Sequence, residues 1–130
     1  MKLKYINAED TARNAKATVH KTGKLGFSSD AIEYLDIRDG KSIQFAQNAE
    51  DENDNNLYAV IHEGQEEGAF KLIRAGNYFY VNTKNMFDAL NIDYKTAKVI
   101  YDLVMIEHEG SQIVKMLRRE IKKKKTDIPT

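Results

Sequence analysis

The sequence predicts a mostly β fold with short helices, built from two copies of a strand–strand–helix–strand–strand unit. Three observations predict it. Apolar and polar residues alternate over short stretches, as strands with one face on a core require. Glycine-containing turns separate those stretches at hairpin spacing. Two short segments with apolar residues three or four apart, each opened by capping residues, fall at the same place in the order of strands.

The first copy is expected over residues 15–62. Ala15, Ala17 and Val19 alternate with Lys16, Thr18 and His20 in a first strand. Thr22-Gly23 breaks it as a hairpin turn would, because glycine accepts the positive φ such turns need. Leu25 and Phe27 then alternate with Lys24, Gly26 and Ser28. Ser28, Ser29 and Asp30 are all good N-caps, and Glu33 completes a capping box with Asp30. Ile32 and Leu35 share one face of a helix of about two turns. Asp39-Gly40 ends that segment, and Ser42-Ile43-Gln44-Phe45 alternates again. The acidic, Asn-rich stretch from Asn48 to Asn56 reads as an exposed loop. Leu57 to His62 is a further strand.

The second copy is expected over residues 69–118, in the same order. Phe70 to Ile73 is a strand, Ala75-Gly76-Asn77 a turn, and Tyr78 to Val81 a strand. Asn82 and Thr83 are caps, and Met86, Phe87 and Leu90 lie on one helical face. Asn91 to Tyr94 ends that helix. Val99 to Ile106 is a long apolar strand, Glu109-Gly110 a turn, and Ile113 to Leu117 a last strand. The helix exits align, Leu35-Asp36-Ile37 with Leu90-Asn91-Ile92. The consecutive apolar residues at 78–81 and 99–101 suggest burial on both faces. The second copy is therefore either the packed centre or a face for a second subunit, in a homodimer. Residues 1–14 read as an arm, residues 15–118 as one globular domain, and residues 119–130 as a basic flexible tail.

The chain has 130 residues, 42% hydrophobic and 31% charged, enough for one domain with a real core. No apolar run is long enough to span a membrane, and Met1 to Asn7 has no signal-peptide core, so a cytoplasmic location and no membrane partner are expected. The absence of cysteine excludes disulfides, thiolate metal sites and a cysteine nucleophile. Net charge is zero but unevenly spread. Residues 46–67 hold seven acids and no Lys or Arg, whereas residues 115–125 hold seven bases against Glu120 alone.

Residues 17–45, from Ala17-Thr18-Val19 through Gly23, Leu25, Phe27, Leu35, Ile37, Gly40 and Ile43, resemble the SpoVT/AbrB-like swapped-hairpin domains. Two such units in one chain are similar to the MraZ arrangement, in which both copies form one swapped-hairpin-like β-barrel. The resemblance implies DNA binding and a role in transcription regulation, with Lys21 and Lys24 where the family tends to place DNA-contacting bases. Ser28 stands where the family usually has Pro, Glu33 where it often has Arg, and Tyr94-Lys95 where a Gly would be expected.

Catalytic chemistry has no signature here. There is no P-loop, dinucleotide fingerprint, HExxH or GxSxG, so the chain is not expected to be an enzyme or to need a cofactor. His20, His62 and His108 fall in different strands with no metal-site spacing. The acids Glu50, Asp51, Glu52 and Asp54 lack the glycine and terminal Glu of a calcium loop. The function expected is a DNA-binding, transcription-regulator-like module. Lys16, Lys21 and Lys24 around the first turn, with Lys71 and Arg74 near the second, would contact phosphates. Zero net charge and the acidic 46–67 region favour the alternative, a protein-interaction module. A third reading is a single-strand binder of the PC4 or Whirly kind. It rests on Gly68-Ala69-Phe70-Lys71-Leu72 followed by the aromatic strand at 78–80, from which Tyr78 and Tyr80 project on one face; such rings most often pack in a core, but on an exposed sheet they stack bases.

Overall fold

The computed structural model describes residues 1–3, 5 and 14–122. Strands β1 (Lys16–Val19) and β2 (Leu25–Phe27) lead into helix α1 (Ser29–Tyr34), followed by β3 (Ser42–Ala46) and β4 (Leu57–His62). Short strands β5 (Phe70–Lys71) and β6 (Ile73–Ala75) precede β7 (Tyr78–Val81), helix α2 (Lys84–Ala89), β8 (Ala97–His108) and β9 (Ser111–Lys122). All strands join one antiparallel sheet in the order β5-β3-β4-β9-β8-β1-β2-β7-β6. Leu72 alone separates β5 from β6, so the two ends of the sheet meet at one bent segment and the sheet is nearly a closed barrel. Leu72 is buried at that corner, and its N–H donates to Lys41 O. Near-closure leaves little unpaired edge to recruit foreign strands.

The expected mostly β class with two short helices is what the structure has. The order β-β-α-β-β occurs on both sides of β5. The strand pairings β2·β7 and β4·β9 each join one group to the other, as β1·β8 does. Inside the barrel lie Leu25, Phe27, Ile43, Val81, Val99, Tyr101 and Met116, all nearly or fully buried. Phe87 of α2 stacks on Tyr101, whereas α1 is seated by the small Ala31.

Both helices end in the same way. Asp36 and Asn91 take positive φ (53° and 56°). Ile37 N–H then returns to Ile32 O and Ile92 N–H to Phe87 O, while Asp36 and Asn91 N–H reach Glu33 O and Asp88 O. These are Schellman motifs, with the apolar Ile37 and Ile92 buried just beyond the turn.

Three expectations need correction. Strand β9 runs to Lys122, five residues beyond the expected last strand Ile113 to Leu117. Arg119, Glu120 and Ile121 are paired with Ile100, Val99 and Lys98, because backbone pairing to a long partner strand does not require an apolar pattern. The basic residues Lys123 to Lys125, and most of the arm, lie outside the described residues. Second, α1 is capped by Ser28, whose hydroxyl accepts from Ala31 N–H, rather than by an Asp30 box. Third, the 78–81 run is not buried on both faces: Phe79 and Val81 point into the core, while Tyr78 and Tyr80 point outward.

Candidate nucleic-acid interface

Alternation fixes what the wall formed by β1, β2 and β7 shows to solvent. With Ala17, Val19, Leu25, Phe27, Phe79 and Val81 buried, the outer side carries Lys16, Thr18, Lys24, Gly26, Tyr78 and Tyr80. The register sets Gly26 between Thr18 on one side and Tyr80 on the other. Gly26 is backbone over which a side chain from β7 can lie. A Cβ there would sit 1.5 Å from Tyr78 Oη and 2.5 Å from His20 Nε2. Tyr78 therefore reaches across β2, where its hydroxyl meets His20 Nε2 at 2.6 Å. Burial of that hydroxyl raises the Tyr78 pKa above its ordinary value. Tyr80 stacks beside Tyr78, with ring centres 6.4 Å apart and planes 21° apart. Lys24 Nζ sits 4.7 Å from the centre of the Tyr80 ring, an attraction of about 0.5–1 kcal/mol at an exposed site.

The turn between β1 and β2 is seated on the start of α2. Thr83 is fully buried, and its hydroxyl lies 2.9 Å from Gly23 O and 3.3 Å from Val81 O. Gly23 has φ 85° and packs against Lys84. The turn's backbone is held from below while Lys21 and Lys24 stay exposed above it.

Of the five cations singled out, the structure gathers three. Lys16, Lys21 and Lys24 lie on this wall or its turn and make no ion pair among the described residues. Arg74, on β6 one strand beyond β7, donates to Asp39 at 2.9 Å and lies over the Phe79 ring. Lys71 is exposed on β5, opposite Ser42 and across the Leu72 corner. Sequence reasoning missed Lys98. It is exposed between buried Ala97 and Val99, and Val99 stands opposite Val19, so Lys98 extends the same outer wall. The signal was the alternation in β8, hidden by the apolar run 99–101. Asp102, opposite Lys16, is held by Arg119 at 2.6 Å.

The acidic loop lies elsewhere. Three strands (β9, β8 and β1) separate β4 from β2 one way round the sheet and four (β3, β5, β6 and β7) the other way, and the acidic stretch 48–56 joins β3 to β4. That stretch is a series of side-chain-capped turns: Asn48, Asp51 and Asp54 accept from the N–H groups of Glu50, Asn53 and Asn56. The Tyr58 hydroxyl donates to Asp54 at 2.7 Å, and with the Asn56 N–H it holds that carboxyl below its ordinary pKa. Between this loop and the outer side of β4, β8 and β9 is a hollow of ≈ 620 Å³, with Tyr58, Val60, Ile106, Ile113, Glu50 and His108 among its lining. His62 meets Gln44, and His108 lies near Glu109, so the histidines do not converge.

No protein family, curated protein or solved structure matches the chain.

Proposed function

We propose that the chain is a DNA-binding module that holds phosphates with Lys16, Lys21 and Lys24. The observation that carries the reading is their placement: three cations on one wall with no acid partner among the described residues, and the acidic loop on the opposite wall. Such a separation lets a protein of zero net charge present a local positive field. The seated Gly23 turn supports it, because cations on a fixed backbone lose less freedom on contact than cations on a loose loop. The strand pairings that link β1–β4 to β6–β9 support the two-repeat, swapped-hairpin-like reading and, with it, a role in transcription regulation. Arg74 and Lys71 are left out of the site, since Asp39 already engages the first and the Leu72 corner displaces the second.

The test is fluorescence anisotropy with labelled DNA across a salt series. Each neutralised phosphate contributes about −0.9 to the slope of log K against log salt on duplex and about −0.7 on a single strand. Three contacts predict a slope of about −2 to −3. Replacing Lys21 and Lys24 by Ala should flatten it by two contacts' worth. A flat slope, or no binding at low salt, contradicts the reading.

A second reading, a protein-docking module, is favoured by the hollow beneath the acidic loop and by the exposed side chains of Val60, Val104, Leu117 and Ile121. Retention of a stoichiometric protein partner that is released by Val60→Asp, with no DNA retained, would put this reading first.

A further inference from the structure

We propose that Tyr78 and Tyr80 form a stacking shelf for unpaired bases, so that the nucleic acid taken by this wall is a single strand. The inference rests on the nucleic-acid reading above and specifies its ligand. Both rings lie outside the barrel and contribute nothing to its hydrophobic core, which takes Phe79 and Val81 from the same strand. Tyr78 is set in place before any ligand arrives: Gly26 leaves room for it, and His20 holds its hydroxyl. Tyr80 stands beside it with the two ring planes 21° apart, and the cation of Lys24 lies over one face of the Tyr80 ring.

Aromatic faces beside a positive groove suit single strands, because every base has a π face and no particular base edge need be read. A duplex hides those faces in its stack and offers the wall only phosphates. Lys16, Lys21 and Lys24 would then track the backbone while the two tyrosines take bases.

The test compares a labelled oligothymidine with a duplex of equal length, at one salt concentration, on the full chain and on Tyr80→Ala and Tyr80→Phe. Tyr80 is on the outer face, so thermal melting should show both variants folded. The expected result is single-strand binding at least about five-fold tighter than duplex binding. Tyr80→Ala should weaken single-strand binding more than duplex binding and so abolish that preference, and Tyr80→Phe should keep it. Equal or tighter duplex binding, with Tyr80→Ala acting alike on both ligands, overturns the shelf but leaves the phosphate contacts standing. Failure to bind either ligand at low salt overturns both.

Discussion

The glycine turns between β1 and β2 and between β6 and β7 are alike in sequence and treated differently by the fold. Gly23 and Gly76 both take positive φ, 85° and 63°. Gly23 is packed against Lys84, and its carbonyl accepts from buried Thr83. Gly76 has nothing within 4 Å of the place where a Cβ would be. The hydroxyls at the two helix starts diverge in the same way. Ser28 caps its own helix and also bonds Lys16 N–H and Asn14 O. Thr83, at the corresponding place, makes no cap bond and holds the distant turn instead. The difference teaches where the fold invests rigidity: it fixes the turn that carries Lys21 and Lys24 and leaves the other open.

A methyl placed on each turn should separate the two most strongly. Gly23→Ala should destabilise by about 2–5 kcal/mol, since left-handed backbone costs a side chain about 1–2 and overpacking against Lys84 about 1–3 more. Gly76→Ala should show only the backbone part, about 1–2 kcal/mol. Urea titration of both variants checks the contrast, and equal losses would mean the first turn is no better seated than the second.

The seating of α2 on the core is tested with pH. Burial pushes the Tyr101 phenol up to about 12, from 10.0, and its hydroxyl has no hydrogen-bond partner among the described residues. Below pH 10 the phenol is neutral in folded and unfolded chains alike and has no effect on the pH dependence. Between pH 10 and 12 the unfolded chain ionises first and binds fewer protons, so stability should fall by about 2–3 kcal/mol. Tyr101→Phe should remove that alkaline loss and change little at neutral pH, because it deletes an unsatisfied polar atom and keeps the ring under Phe87. Urea unfolding of both chains at pH 8 and pH 11.5 provides the check.

Thr83→Val, nearly isosteric, should cost about 1–3 kcal/mol by leaving the Gly23 carbonyl without its buried donor. Amide exchange at residues 20–24 should speed up in this variant. Ser28→Ala should cost about 1 kcal/mol, with faster exchange at Lys16 and Ala31 and no change in the 20–24 turn. If Ser28→Ala loosens that turn as much as Thr83→Val does, the division of labour between the two hydroxyls is wrong.

Much of the fold was legible because it depends on local pattern. Alternation marked β1, β2, β3 and β4, and the matched exits Leu35-Asp36-Ile37 and Leu90-Asn91-Ile92 proved to be the same Schellman motif. What stayed hidden depends on partners far apart in sequence. The strand character of residues 119–122 comes from β8, not from their own charged side chains. The corner at Leu72 arises because Phe70–Lys71 and Ile73–Ala75 pair with different strands. In the candidate site, Lys21 and Lys24 were readable as turn cations. The engagement of Arg74 by Asp39, 35 residues away, was not. Nor was the role of Gly26, which only the arrival of Tyr78 from β7 reveals.

The proposal that the β1–β2–β7 wall is the nucleic-acid face is tested by amide chemical shifts of the labelled chain during titration with an oligonucleotide. Changes should concentrate at residues 16–28 and 78–82 and at Lys98, with the acidic segment 48–67 unmoved. Changes centred on residues 48–67, or no changes at low salt, would contradict it.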